Sequence, residues 1–190
     1  MSLEDIYNRV YKKVKWYDEA YEEKLKAVEE HLPNTDKSIR ILDIGCGKGH
    51  YIRRLISLGY KNITGVEFSS YCCETWLDEL NVINANWLEL GPTLEDNSFD
   101  LAVCMDVLEH IEPSNIQKFV SNIERTCNEA ILGIANHSDI MEGEELHLIQ
   151  QGVPWWTELL KKYYSNVDLV YSAYPNDSGD PKFFILKVSK

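Results

Sequence analysis

The stretch Ile41-Leu42-Asp43-Ile44-Gly45-Cys46-Gly47-Lys48-Gly49 decides how this chain is expected to fold. It begins as a short apolar strand, passes through three glycines at alternate positions and leads into the amphipathic segment 51–58. Alternate glycines let the backbone adopt left-handed conformations and approach a ligand closely. The helix start that follows presents free N–H groups, which suit a carboxylate or a phosphate. The stretch therefore predicts a ligand-binding turn between a strand and a helix.

Outward from this turn, short apolar strands alternate with amphipathic helices. Five such strands are followed by a polar, irregular stretch and then by two more strands, which face each other across the turn-forming segment 175–181. This order predicts an α/β fold: a doubly wound, mainly parallel seven-stranded sheet with an antiparallel C-terminal hairpin and helices on both faces. The predicted strands are 39–44, 62–67, 82–84, 99–105, 130–135, 167–174 and 182–188, and the predicted helices are 3–31, 51–58, 69–80, 113–127 and 155–164.

The composition argues against several classes of protein. The 190 residues fit one domain, and 31 acidic against 19 basic residues give a net charge of −12, which disfavours nucleic acid as a partner. No apolar run has the ~20 residues of a membrane helix, and the N-terminus lacks the basic and apolar parts of a signal peptide. The five cysteines contain no CxxC pair, so neither a disulfide framework nor a zinc site is expected. We therefore expect a cytoplasmic protein without membrane contact.

From residue 40 to residue 111, the order and spacing of motifs resemble class I (Rossmann-like) S-adenosylmethionine-dependent methyltransferases. The glycine-rich turn resembles the first motif of that family, D/E-x-G-x-G-x-G, and Phe99-Asp100 with Leu108-Glu109-His110-Ile111 resembles its fourth. A dinucleotide-binding turn would instead need a glycine at position 50, where this chain has His50. The resemblance implies the family fold, S-adenosylmethionine as the cofactor and methyl transfer as the reaction.

The same resemblance assigns cofactor-binding roles along the first half of the chain. Asp43 and the glycine-rich turn are expected to hold the methionine end, and Glu67 the ribose hydroxyls. Asn86 stands where the family usually has an aspartate, but its carbonyl can still accept a hydrogen bond from the adenine amino group. Trp87 is equally compatible with packing on adenine and with a place in the core. The predicted cofactor-binding set is Asp43, Gly45, Cys46, Gly47, Gly49, Glu67, Phe68, Asn86, Trp87 and Met105.

Candidates for catalysis follow the fourth and fifth strands. Methyl transfer from a sulfonium has a neutral leaving group, so no metal is expected, whereas a base helps if the acceptor is a hydroxyl or a protonated amine. We predict that His147 contacts the acceptor, with His137 second and Asp106 bordering the same space. Either histidine, taken alone, is also compatible with a surface or capping role. His110 is expected to be structural.

The resemblance divides the single domain of residues 1–190 into three parts. Residues 1–33 form a helical leader, whose aromatic residues at positions 16, 17 and 21 predict a partial lid. Residues 34–135 form the cofactor-binding half, and residues 136–190 supply an acceptor-side loop, a helix and the hairpin.

The main hypothesis is methyl transfer to an O, N or C atom of a small molecule. A protein acceptor stays open, as does a non-catalytic module that binds the cofactor or a partner protein. Cleavage of the sulfonium without transfer is a further alternative, and a nucleotide-dependent oxidoreductase is disfavoured by His50. The sequence leaves the oligomeric state open.

Overall fold

The structure, a computed structural model, describes residues 3–19, 21–33, 36–141, 143–175 and 179–190. Its strands are β1 (Arg40–Ile44), β2 (Asn62–Glu67), β3 (Val82–Asn84), β4 (Phe99–Met105), β5 (Cys127–Ala135), β6 (Ile140–Met141), β7 (Glu144–Glu145), β8 (Asn166–Pro175) and β9 (Pro181–Ser189). Its helices are α1 (Leu3–Lys13), α2 (Glu22–Glu29), α3 (His50–Ser57), α4 (Ser70–Trp76), α5 (Trp87–Leu90), α6 (Ile116–Thr126) and α7 (Val153–Leu160), with 3₁₀ turns at Gly91–Thr93 and Leu108–His110.

Seven of the strands form one sheet in the order β3-β2-β1-β4-β5-β9-β8. The pairs from β3 to β5 are parallel, and β9 runs antiparallel to both β5 and β8. This confirms the predicted doubly wound sheet with a C-terminal hairpin, although residues 176–178 of the connecting turn lie outside the described part of the chain. The strand order reverses between β1 and β4, and ligands of open α/β sheets bind at such a switch point.

Apolar side chains cover the sheet on both faces, as predicted. Trp156 of α7 and Phe119 of α6 belong to the buried cluster on one face. Val28 of α2 and Leu55 of α3 belong to the cluster on the other face. Because both faces of the sheet are covered, the central parallel strands are nearly continuous apolar runs, which is typical of α/β proteins.

The prediction of one helix over residues 3–31 was wrong. The described leader consists of α1 and α2, separated by a turn in which Asp18 has a φ of 55°. Contacts with the glycine-rich loop replace the helical hydrogen bonds here. Lys48 Nζ donates to the carbonyl oxygens of Tyr17 and of Lys15, the latter at 3.2 Å, and His50 Nε2 lies 2.9 Å from the carbonyl oxygen of Asp18.

Smaller differences concern the ends of elements and the loop after β5. Helix α4 starts after the predicted cap, Ser69, whose hydroxyl accepts from Cys72 N, but it ends at Trp76 rather than near residue 80. The stretch after β5, predicted to be irregular, contains the short antiparallel pair β6 and β7. That pair brings the loop back over the end of the sheet.

Candidate cofactor and acceptor site

A cavity of about 490 Å³ opens at the carboxyl ends of the central strands, beside the switch point of the sheet. Its volume lies in the range of small-molecule and cofactor sites, ~300–1,000 Å³. The leader covers one side and the loop after β5 another. Predicted site residues on its wall are Gly45, Glu67, Phe68, Asn86, Trp87, Met105, Asp106, His137 and His147.

The glycine-rich loop forms the floor of the cavity beside β1. The N–H groups of Gly45 and Cys46 donate to the carbonyl oxygen of Val66, at 2.8 and 3.1 Å, which ties the loop to β2. Gly45 has a φ of 70°, and a Cβ there would lie 2.4 Å from Cγ2 of Val107. Glycine is therefore required for both the conformation and the close packing.

Glu67, at the end of β2, is buried below this loop. Its carboxylate accepts from Gly47 N at 3.0 Å and from Ser69 N at 2.8 Å. Burial raises the pKa of Glu67 to about 7, although the bonds from these two N–H groups act in the opposite direction. Each carboxylate oxygen has a second lone pair, so the group can still accept from ribose hydroxyls.

Asp43 is more deeply buried than a direct ligand of the cofactor would be. It is 1 % exposed and does not line the cavity, and its Oδ2 has no hydrogen-bond partner among the described residues. Burial, and then the charges of Asp18 and Glu67, raise its pKa to about 8. At pH 7 the raised pKa favours the neutral carboxyl, which lies beside the glycine-rich loop without reaching the cavity wall.

The predicted adenine end lies beyond β3. Asn86 caps α5 by accepting from Leu88 N at 2.9 Å, which leaves its carbonyl a second lone pair. Trp87 is 3 % exposed, donates to the carbonyl oxygen of Phe119 at 3.3 Å and belongs to a core cluster, yet it also lines the cavity. Trp87 thus belongs to the core and also borders the cavity.

The remaining predicted cofactor residues lie at different depths. Phe68 and Met105 line the main cavity, and Cys46 and Met105 line a small adjoining space. Gly47 and Gly49 line neither: a Cβ on Gly47 would meet the carboxylate of Asp18, and one on Gly49 would meet the side chain of Leu80.

Asp106 follows β4 and has a φ of 53°. Its Oδ2 lies 2.6 Å from Lys24 Nζ, which comes from α2 of the leader. The same ammonium group lies 3.9 Å from the ring centroid of Phe183. Among the described residues that line the cavity, Lys24 carries the only fixed positive charge, and Asp106 neutralises it.

His147 has the geometry of a base. Its Nδ1 lies 2.6 Å from the carbonyl oxygen of His137. Because a carbonyl can only accept, Nδ1 carries the proton, and the lone pair is on Nε2. Nε2 lies 3.9 Å from Asp139 Oδ2. Burial lowers the pKa of His147, so the ring is neutral at pH 7.

His137 lies beside this base and is more exposed. Its ring centroid is 4.8 Å from that of His147, and its Nδ1 lies 2.9 Å from the carbonyl oxygen of Ser138. His137 therefore contributes its carbonyl group to the orientation of His147, and its ring lines the cavity.

His110 is held from several sides, as expected of a structural residue. Its Nδ1 lies 2.7 Å from the hydroxyl of Tyr7, in the leader, and 3.0 Å from the carbonyl oxygen of Leu146. Burial lowers its pKa to about 3, so this ring too is neutral at pH 7. Its ring centroid is 4.6 Å from that of His147.

The sequence reasoning missed the residues that hold these groups in place. Glu145 accepts from the N–H groups of Asp139 and His147, at 2.8 and 3.0 Å, and from the hydroxyl of Ser138, and so fixes the loop that carries the base. Asp139 and Tyr7 were also missed. Spacing along the chain gave no signal for them, because Tyr7 and His110 are 103 positions apart.

Three side chains at this end could in principle hold a metal ion, although the sequence predicts none. Candidate ligand atoms of Glu109, His110 and His147 lie within 4.8 Å of one another. All three groups already have backbone partners: Glu109 Oε1 accepts from Ala135 N at 2.8 Å, and Nδ1 of His110 and Nδ1 of His147 lie near the carbonyl oxygens of Leu146 and His137. Burial raises the pKa of Glu109 well above its ordinary value, which favours its neutral form.

Comparisons with known proteins agree with this geometry. Residues 42–130 match the family described as "Methyltransferase domain". A ubiquinone biosynthesis O-methyltransferase from Rickettsia bellii is 29% identical over 129 residues, which are 66% of this chain and 51% of that protein. The solved structure of a SAM-dependent methyltransferase from Archaeoglobus fulgidus superposes with a TM-score of 0.77 at 13% identity, over 95% of this chain and 99% of the other.

Residues 42–130 therefore match a methyltransferase domain, and the sheet around them has the fold of a SAM-dependent methyltransferase. The predicted family and cofactor are thereby confirmed. A methyltransferase from Burkholderia thailandensis, solved with 1,6-didemethyltoxoflavin and S-adenosylhomocysteine, has the same fold, with a TM-score of 0.72 at 17% identity over 99% of this chain and 87% of that one. The chain spans about a third to a half of the length of the curated relatives it matches, with coverages of 35% and 51% for the first two.

The described residues fit the cofactor. The cavity continues onto the glycine-rich loop, and Glu67 retains lone pairs for hydroxyl donors. Asp43 supplies an unpartnered buried carboxyl oxygen on the same side. None of the helices in the described ranges is long and apolar enough to cross a membrane.

Proposed function

We propose that this domain transfers the methyl group of S-adenosylmethionine to an O, N or C atom of a small organic molecule, with His147 as the base for a protonated acceptor atom. The observation that carries the proposal is the orientation of His147: the His137 carbonyl fixes the proton on Nδ1 and leaves the lone pair on Nε2, on a side chain that lines the cavity. This base and predicted cofactor residues that include Gly45, Glu67 and Asn86 border one continuous space.

The residues on the acceptor side of the cavity favour an acceptor whose O–H or N–H group loses its proton there. When bound, S-adenosylmethionine supplies an electrophilic methyl group whose leaving group is a neutral thioether. His147 Nε2 would take the proton of the acceptor O–H or N–H, which would leave that atom's lone pair free to receive the methyl group. The imidazolium that results is stabilised by Asp139, whose Oδ2 is 3.9 Å away. His137 orients the base through its carbonyl group, and Asp106 holds Lys24 at the edge of the same space.

A small acceptor fits better than a protein segment because the cavity is covered by the leader. Tyr7 of α1 bonds to His110, and Lys24 of α2 bonds to Asp106, so the leader closes over both the acceptor side and the cofactor side. These contacts support the partial lid that the sequence predicts for residues 1–33. The net charge of −12 further disfavours nucleic acid, and a cytoplasmic location stays a prediction.

The test is a screen for production of S-adenosylhomocysteine in the presence of candidate acceptors: phenols, primary and secondary amines, and peptides. We expect turnover with at least one small phenol or amine. His147→Gln should then lower kcat by ~10²-fold or more while leaving the affinity for S-adenosylhomocysteine unchanged, because it removes only the base. His31→Gln, a histidine outside the cavity, is the control.

Each other result of the screen favours another function. Turnover only with peptides would indicate a protein methyltransferase, and S-adenosylhomocysteine binding without turnover would indicate a non-catalytic module. Breakdown of the cofactor without any acceptor would indicate cleavage of the sulfonium. A His147→Gln variant with undiminished kcat would refute the role of His147 as base.

A further inference from the structure

The turn between α1 and α2 places its own carboxylate on the glycine-rich loop. Asp18 Oδ2 accepts from Lys48 N at 2.6 Å and lies 2.1 Å from the position that a Cβ on Gly47 would occupy. The side chain of Asp18 therefore fills the cradle that the glycines open, which the sequence assigns to the methionine end of the cofactor. Asp18 is half-buried there, and this burial raises its pKa.

The same segment places an ammonium group at the other side of this subsite. Lys24 Nζ lies 2.6 Å from Asp106 Oδ2, at the end of β4, and 3.9 Å from the ring centroid of Phe183. Asp18 and Lys24 both line the main cavity, and a second space of about 30 Å³ adjoins it between the segment and the sheet. It is bounded on the leader side by Asp18, Glu19, Tyr21 and Lys24, and on the sheet side by Gly45, Cys46, His50, Tyr51, Met105 and Asp106.

Together, Asp18 and Lys24 present the two charged groups of an amino acid: a carboxylate bonded to a loop N–H and an ammonium bonded to a carboxylate. The methionine end of S-adenosylmethionine carries the same pair of groups. A glycine loop with a free N–H and an adjacent acid recognises such a pair through charge-assisted hydrogen bonds. The segment is kept in place by the bonds from Lys48 Nζ and His50 to its backbone carbonyl oxygens.

We propose that the described residues 14–19 and 21–24, through Asp18 and Lys24, act as an internal mimic of the methionine end of the cofactor, which occupies that subsite in the free protein and is displaced when the cofactor binds. The mimic competes with the cofactor within the same chain. The apparent association constant is then the intrinsic one multiplied by the fraction of molecules in which the segment has left the subsite. The leader is thus an autoinhibitory element as well as a lid, a conclusion that rests on the assignment of S-adenosylmethionine as the cofactor.

A role of Asp18 as a ligand of the cofactor would have a different consequence. If Asp18 stayed in place and bound the ammonium group of the cofactor, removing its charge would weaken binding. If Asp18 competes with the carboxylate of the cofactor, removing its charge strengthens binding. The sign of the change in affinity therefore decides between a mimic and a ligand.

The experiment measures binding of S-adenosylhomocysteine by calorimetry to the wild-type chain and to two variants. Asp18→Asn tolerates the left-handed backbone but lacks the charge, and Lys24→Met keeps the stem over Phe183 but lacks the ammonium group. Glu30→Gln and Lys26→Met are matched controls, since both residues are exposed on or next to α2 and line neither space. Circular dichroism melting confirms that each variant is folded.

We expect both test variants to bind S-adenosylhomocysteine ~3- to 10-fold more tightly than the wild type, and both controls to stay within ~2-fold of it. The double variant should gain less than the product of the single gains, because either change already releases the segment. Unchanged or weaker binding by Asp18→Asn and Lys24→Met would overturn the mimic while leaving the cofactor assignment intact. Absence of binding by every variant would instead overturn the cofactor assignment and the mimic with it.

Discussion

Replacing Glu67 by Gln should change the stability of the free domain in a manner that depends on pH. Folding buries this carboxyl, which is 3 % exposed, and raises its pKa from an ordinary value of 4.5 to about 7. Between these two values the folded chain binds more protons at this site than the unfolded chain does. The contribution of Glu67 to stability is therefore fully present below about pH 4.5 and is lost as the pH rises through 7.

The magnitude follows from the size of the pKa change. A difference of roughly 2.5 pKa units, at ~1.4 kcal/mol per unit, corresponds to about 3 kcal/mol. Gln is nearly isosteric with protonated Glu and does not ionise. Because the amide NH2 cannot accept the second of the two backbone N–H bonds, the Gln variant should be less stable than the wild type by ~1 kcal/mol at low pH. Between pH 4.5 and pH 8 the difference in unfolding free energy should shift by about 3 kcal/mol in favour of the variant.

The assay is urea unfolding of both proteins between pH 4.5 and pH 8, with the difference in unfolding free energy plotted against pH. The contributions of other titrating groups largely cancel in that difference. Cofactor affinity should move in the opposite direction, with S-adenosylhomocysteine bound ~10-fold or more weakly by the variant, because an ionised carboxylate accepts ribose hydroxyls more strongly than an amide. A difference in unfolding free energy that stays flat across this pH range would refute the reasoning.

Three further predictions concern the loop, the leader and the metal. Gly45→Ala, with its φ of 70° and a contact of 2.4 Å to Val107, should lose ~1–2 kcal/mol of stability in urea unfolding and weaken S-adenosylhomocysteine binding, and wild-type affinity would contradict the close packing. Tyr7→Phe should lower the unfolding free energy by ~1 kcal/mol, because it removes the 2.7 Å hydrogen bond to His110, and no loss would indicate that the leader is not held there. Once an acceptor is known, EDTA should leave kcat unchanged, whereas loss of activity restored by a divalent cation would make Glu109, His110 and His147 a metal centre.

The arrangement of the sheet could be predicted because its signals are local. Each parallel strand is a short apolar run, and each following helix has an amphipathic period, so the element order sets the topology with few alternatives. The glycine-rich turn is equally local, because Gly45 must adopt a positive φ between β1 and α3. Glu67 could be placed near that turn since β1 and β2 are parallel neighbours, and their carboxyl ends meet at one edge of the sheet.

The course of the leader could not be predicted, because contacts distant in sequence decide it. Its apolar spacing favours one helix, but Lys48 and His50 bond to carbonyl oxygens more than thirty positions earlier, in the turn that separates α1 from α2. The protonation of the histidines is decided in the same way. The sequence supplied His147 as a candidate, whereas the His137 carbonyl and burial among the folded elements determine which nitrogen carries the proton and lower its pKa.

By itself, then, the sequence determined the sheet, the cofactor class and the residues that meet at the ends of the strands, since these depend on periodicity and on backbone conformation within a few residues. Only the tertiary structure decided that Asp18 lies on the glycine-rich loop, that Lys24 pairs with Asp106 and that burial lowers the pKa of His147. Charge pairing, burial and the choice of hydrogen-bond partner depend on which groups come together in space. Asp18 and Lys48 are 30 residues apart in the sequence, and Lys24 and Asp106 are 82 apart. His137 and His147 are brought together by the folded loop between them.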